Sequence, residues 1–157
     1  MKSIYLVCLI ITTLTVWSDS ALAVLGESIA EVETRYGHAT QVLPSSTDER
    51  RVYLHGDIEL DILFVGGKSL RETIHHPGKA QRLDLDECLA WMKELSGKGD
   101  WKLKSGSETA ASWRSGDLLA AKIKRSEDGC DYLSVYGIGF MAYFRSKLDS
   151  EWHAPKK

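Results

Sequence analysis

The feature that most restricts this chain is the alternation from Ile58 to Phe64, where Ile58, Leu60, Ile62 and Phe64 interleave with Glu59, Asp61 and Leu63. A side-chain period of two belongs to a β-strand with one buried face. Turn residues bracket the run, His55-Gly56-Asp57 before it and Gly66-Gly67-Lys68 after it. The stretch from Arg51 to His75 therefore reads as three consecutive antiparallel strands. If Gly66, Gly67 and Lys68 form a three-residue loop closed by Val65 and Ser69, Phe64 faces Leu70 and Leu60 faces Ile74, so apolar meets apolar. A two-residue loop would set Leu60 against Thr73. The chosen register puts Glu72 opposite Ile62 on the inner face, where a carboxyl needs an edge position or a partner. It also puts Glu59 opposite His75.

Two helices frame this meander. Leu25, Ile29, Val32 and Tyr36 recur at helical spacing and stop at Gly37. Further on, Asp84 is a good N-cap with Glu87 as its capping-box partner, Leu85, Leu89, Met92 and Leu95 form one face, and Gly97 ends the run. The two relate by an offset of 60 places, which carries Leu25 to Leu85, Glu27 to Glu87, Ile29 to Leu89 and Gly37 to Gly97. The same offset carries Tyr53 to Trp113 and Gly56-Asp57 to Gly116-Asp117. One shift that aligns helix start, helix stop and hairpin turn reads as an internal duplication.

The second copy then has strands over Thr109 to Trp113, Leu118 to Lys124 and Cys130 to Tyr136, with Lys124 opposite Asp131 and Ile123 opposite Tyr132. The expected fold is α+β, a tandem αβββ repeat with two helices packed on a mostly antiparallel sheet. Whether the halves share one sheet stays open. Phe140, Tyr143, Phe144 and Leu148 fit a last short helix, and residues 149–157 read as a flexible tail.

The first 23 residues carry Lys2, an apolar run from Ile4 to Val16, and Ala21-Leu22-Ala23. That is the tripartite pattern of a secretory signal peptide, and its apolar core is short of the ~20 residues a membrane-spanning helix needs. The expected mature chain is secreted or periplasmic. It forms one compact domain over residues 24–148, in halves 24–80 and 81–148, with no further membrane span. A net charge of −2 with acids and bases interspersed argues against nucleic-acid binding. Removing the leader leaves Cys88 and Cys130. In an oxidising compartment these form a disulfide worth about 4 kcal/mol or stay as two buried thiols.

At this point a resemblance is visible. A short helix ending in Gly, a loop, and a meander with Gly-rich turns, repeated in tandem in an exported chain, resembles the secreted β-lactamase-inhibitor proteins. Each half is also similar to the small outer-membrane assembly lipoprotein domain. The likeness covers Gly26 to Tyr136 and rests on pattern and turn placement. The chain departs from the lipoproteins in having no lipidation cysteine at the cleavage site. The resemblance implies protein binding through an aromatic-rich sheet face without catalysis, and it carries over no contact residue.

The remaining chemistry-bearing residues give no reaction. His75 and His76 are adjacent on a strand and point to opposite faces, and no metal-ligand spacing occurs, so no metal or other cofactor is expected. No Ser lies in a Gly-x-Ser-x-Gly context. The outer-face set of Glu59, Asp61, Arg71 and His75 is mainly a solvated ladder, with a His75/Glu59 general base as the hydrolase alternative. Gly66-Gly67-Lys68-Ser69 is a hairpin turn and not a phosphate loop, because no spaced first Gly precedes it. Trp and Tyr are enriched at interaction hot spots. If a face binds a partner protein, the sequence points to Trp113, Tyr132 and Tyr136. The leading expectation is an exported, non-catalytic protein-binding module, with the hydrolase as alternative and an envelope scaffold component differing only in its partner.

Overall fold

A computed structural model describes residues 25–45, 48–77, 82–97, 99–107, 110–124 and 131–152. The leader, the 126–129 turn, Cys130 and the last five residues lie outside the described residues.

Helix α1 (Ile29–Tyr36) begins where Ser28 and Glu31 close a reciprocal capping box. The Ser28 hydroxyl accepts from the Glu31 N–H at 3.4 Å, and the Glu31 carboxylate accepts from the Ser28 N–H at 2.7 Å. Strands β1 (Gln41–Pro44), β2 (Asp48–His55), β3 (Ile58–Val65) and β4 (Lys68–His75) follow. Helix α2 (Leu85–Ser96) leads into β5 (Lys102–Gly106), β6 (Ala110–Ser115), β7 (Leu118–Lys124) and β8 (Asp131–Gly137), and α3 (Ile138–Trp152) completes the chain. The α+β class is as expected. Each of the first two helices is followed by four strands and not three, because the short, wholly exposed edge strands β1 and β5 carry no alternation to announce them. The expected tail from Asp149 is instead helical through Trp152.

The eight strands form one antiparallel sheet in the order β1-β2-β3-β4-β8-β7-β6-β5. The open question of one sheet or two is thereby answered. The joint is β4 against β8, with Arg71 opposite Tyr136, Glu72 opposite Val135, Thr73 opposite Ser134 and Ile74 opposite Leu133. Pro44 on one edge strand and Lys102 and Lys104 on the other disfavour pairing with further chains.

The β3–β4 hairpin corrects one detail of the sequence reading. Its loop has two residues, Gly66 at φ +59° and Gly67 at φ +77°, with Val65 opposite Lys68 and Phe64 opposite Ser69. Two successive positive φ values make the tight turn whose twist matches paired strands, a conformation glycine adopts without a Cβ penalty. A bulge then leaves Leu70 unpaired and restores the expected register from Leu63 opposite Arg71 onward, including Leu60 opposite Ile74 and Glu59 opposite His75.

One sheet face is closed by α1 and α2. Val32 and Tyr36 of α1 and Cys88, Met92 and Leu95 of α2 pack onto Tyr53, Leu60, Ile62, Phe64, Ile74, Trp113, Leu133 and Val135 in a single core. The buried stripe of α2 is Cys88-Met92-Leu95, a spacing of four and then three. Leu85 and Leu89, expected on that stripe, remain 59% and 38% exposed. Asp84 caps α2 by accepting from the Glu87 N–H at 2.8 Å, while the Glu87 carboxylate lies 3.0 Å from His76 Nε2. Glu72 does lie on the inner face opposite Ile62, fully buried, and neither carboxyl oxygen has a hydrogen-bond partner among the described residues.

Candidate binding face

Alternation sends the other half of each strand's side chains to the face away from α1 and α2. Around the β4–β8 joint that outer face carries Arg50 of β2, Glu59 and Asp61 of β3, Arg71, Thr73 and His75 of β4, and Tyr132, Ser134 and Tyr136 of β8. Helix α3 lies against β4 and β8 on this side. Its Phe140 ring sits 5.2 Å from Tyr136 and 5.8 Å from the Arg71 guanidinium, and its Lys147 Nζ is 2.6 Å from Asp48 of β2.

Two charge groupings organise the face. Arg50 donates through Nε to Asp61 at 2.6 and 2.7 Å and through Nη2 to the same carboxylate, while Arg71 Nη2 approaches it at 3.7 Å. These hydrogen bonds hold the Arg50 guanidinium protonated above its ordinary value, against the opposing effect of burial. The second grouping is His75, whose Nε2 lies 3.1 Å from Glu59 and whose Nδ1 lies 3.3 Å from the His76 carbonyl. The Tyr132 ring covers the imidazole, with centroids 4.6 Å apart. Thr73 and Ser134, neighbours across the joint, share a 2.8 Å hydroxyl–hydroxyl bond.

Two adjoining cavities open here. A polar one of about 460 Å³ is bounded by Glu59, Asp61, Thr73, His75, Tyr132 and Ser134, and one of about 420 Å³ with a more apolar lining lies beside α3. Arg50 and Arg71 line both, so the two meet at the arginine pair.

The expected binding trio is split by this geometry. Tyr132 and Tyr136 are half-buried on the outer face, whereas Trp113 is 4% exposed, opposite Ala120 on the inner face. Trp113 is therefore core, as its alignment with the buried Tyr53 implies, and it offers a partner no surface. Cys88 is fully buried, its thiol pushed up to about 11 by burial, and it forms no disulfide among the described residues, its expected partner Cys130 lying outside them.

Glu59 and His75 are in contact as the register implies. Both nitrogens of that histidine face oxygens, the Glu59 carboxylate and the His76 carbonyl, while the Thr73 and Ser134 hydroxyls bond to each other. His75 and His76 diverge as expected, the latter to the Asp57 carbonyl and Glu87. Among the described residues no group of three or more His, Cys, Asp or Glu side chains is placed to hold a metal ion. No described helix is long and apolar enough to cross a membrane.

Sequence reasoning missed Arg50 and the α3 residues. Extending the alternation of Val52 and Leu54 back by one step would have placed Arg50 outward. Nothing local shows that α3 returns across the sheet to reach Asp48, a contact spanning 99 positions.

No known protein family and no curated protein matches this sequence. Among solved structures, a cysteine-rich secretory protein from Staphylococcus aureus superposes with a TM-score of 0.48 at 10% identity, covering 75% of this chain and 44% of that one.

Proposed function

We propose that this chain is an exported, non-catalytic protein-binding module that docks its partner on the outer sheet face at the β4–β8 joint. The observation that carries the reading is the set of Tyr132, Arg50 and Arg71 lining two adjoining cavities, with Tyr136 opposite Arg71 across the joint, on the sheet face that α1 and α2 leave uncovered. Tyr and Arg dominate binding hot spots because each offers large contact area and a polar end, and clefts between them admit a partner's side chains. Export is supported by the tripartite pattern ending at Ala23. Duplication is supported by the 60-place offset together with the repeated order of one helix and four strands. On that reading the joint is where two copies meet, and the docking face is composite, as the resemblance to tandem-repeat inhibitor proteins also implies.

The test is affinity capture from an envelope or culture extract of the native host, using the full chain tagged after Lys157. A retained protein that is lost with Tyr132→Ala and with Arg71→Ala, yet kept with the α2 surface change Leu85→Ala, supports the face. Equal retention by all four baits sinks it. The hydrolase reading draws on the 3.1 Å His75–Glu59 contact. Turnover of an activated ester such as p-nitrophenyl acetate by the wild type, abolished in His75→Ala, would favour it.

A further inference from the structure

The cavity beside α3 has a distinct chemistry. Its apolar wall is Leu43 of β1, Leu63 of β3, and Phe140 and Phe144 of α3, and its polar rim is Arg50, Arg71 and Lys147. Each rim cation is ion-paired, but the pairs are stratified. The Arg50 side chain is 47% exposed over an Asp61 that is 10% exposed, and Lys147 is 39% exposed over an Asp48 that is 8% exposed. Asp48 lines the cavity beneath Lys147, and Asp61 lies beneath Arg50 in the adjoining polar cavity, so an approaching group meets positive charge first. Arg50 commits Nε and Nη2 to Asp61, leaving its Nη1 amino group with no partner among the described residues. Leu43 and Phe144, 40% and 46% exposed, stand at the same mouth.

We infer that this cavity is the anchor subsite of the docking face and takes a segment of the partner protein in which a bulky apolar side chain stands next to a carboxylate. The apolar side chain enters between Leu63 and the Phe140–Phe144 pair, whose rings stack 5.9 Å apart, and the carboxylate accepts from Arg50 Nη1 at the lip. Carboxylate recognition by a guanidinium whose other edge is already fixed loses little side-chain freedom on binding. The occupant is a chain segment and not a compact free acid, because the 460 Å³ polar cavity adjoins this one across Arg50 and Arg71, which line both. An extended peptide fills both, its apolar anchor at α3 and its hydrogen-bonding groups along Thr73, Ser134 and His75. Small-molecule sites instead enclose most of their ligand.

The inference rests on the outer face being the docking surface, and its test separates the two. The probe is a fluorescein-labelled octapeptide with a central Asp-Trp pair in a Gly/Ser background, titrated against the full chain by anisotropy. Binding is expected in the ~0.1–1 mM range for one anchor. Asn in place of the probe's Asp, or Ala in place of its Trp, should each weaken it about tenfold. Arg50→Gln and Phe144→Ala in the protein should do the same, with far-ultraviolet circular dichroism confirming that α3 is retained. No binding at millimolar protein, or binding indifferent to both protein variants, overturns the inference. Equal affinity for 4-phenylbutyrate overturns it in favour of a small-molecule site. Should the captured partner depend on Tyr132 and Arg71 while the peptide fails, the anchor falls and the docking face stands. Peptide binding that depends on Arg50 and Phe144, beside capture indifferent to Tyr132, has the opposite consequence.

Discussion

Replacing Glu72 with Gln should stabilise this protein more strongly the higher the pH. Glu72 sits on a central strand, fully buried, with neither oxygen hydrogen-bonded among the described residues. Arg35, the cation nearest in chemistry, is committed to Glu27 by two hydrogen bonds of 2.7 and 2.8 Å. The other groups facing it are Ser69, on its own strand, and the Tyr36 hydroxyl, itself pushed well above its usual range by burial. Burial raises the Glu72 carboxyl from 4.5 to about 8. The native state therefore holds a proton that the unfolded chain releases above pH ~4.5, and stability falls as pH rises from there until the native carboxyl also ionises near pH 8. At about 1.4 kcal/mol per unit, the cost is under about 1 kcal/mol at pH 5, about 3 at pH 7, and levels off near 5 above pH 9. A neutral Gln has no such dependence. Urea unfolding of wild type and Glu72→Gln at pH 5, 7 and 9 reads the difference directly. With a slope of about 1–3 kcal/mol/M, the midpoints should separate by roughly 1–3 M at pH 7. A pH-independent offset from the buried amide moves all three points together. If the gap between the two proteins is the same at pH 5 and pH 9, Glu72 is not held protonated and the reasoning fails.

Trp113→Ala should cost about 3–5 kcal/mol in urea unfolding and leave partner capture by the surviving folded protein unchanged, since the ring is core; lost capture at retained stability would return Trp113 to the binding surface. Ser28→Ala removes one half of the α1 capping box and should lower stability by about 1 kcal/mol, and an unchanged midpoint would show that the cap is redundant with the bridge between Ser28 and Lys68. Gly66→Ala forces a Cβ into φ +59° and should cost about 1–2 kcal/mol, read as a lowered Tm. Cys88 should resist iodoacetamide in native protein at pH 8 and react after unfolding, followed by peptide mass spectrometry; rapid native labelling would show that α2 opens.

Much of the fold is legible because its determinants are local. The alternation of Ile58 to Phe64 specifies a strand and its buried side, Asp84 and Gly97 bound α2, and the Gly-Asp turns specify two hairpins. The pairing of Glu59 with His75 follows from counting out from the Gly66-Gly67 turn, and that of Ile123 with Tyr132 from counting across residues 126–129. Where local counting failed, the cause was a feature that leaves no local trace. The bulge at Leu70 compensates for a tighter turn, so a correct register was reached from a loop one residue too long. Edge strands β1 and β5, exposed throughout, have no buried face to reveal. The helical stripe of α2 was right at Met92 and Leu95 and wrong at Leu85 and Leu89, which look as apolar as the Cys88 that faces the sheet.

The candidate binding face divides along the same line. Sequence alone determined that Glu59, Asp61, Arg71 and His75 share one side of a meander, because strand periodicity assigns faces without reference to the rest of the molecule. Only the tertiary structure decided that β4 joins β8, which brings Tyr132 onto His75 and Ser134 onto Thr73, and that α3 folds back to build a cavity from Phe140, Phe144 and Arg50. Those are choices between elements far apart along the chain. They are made by which apolar faces bury each other best, a property of whole surfaces that no single stretch of residues contains.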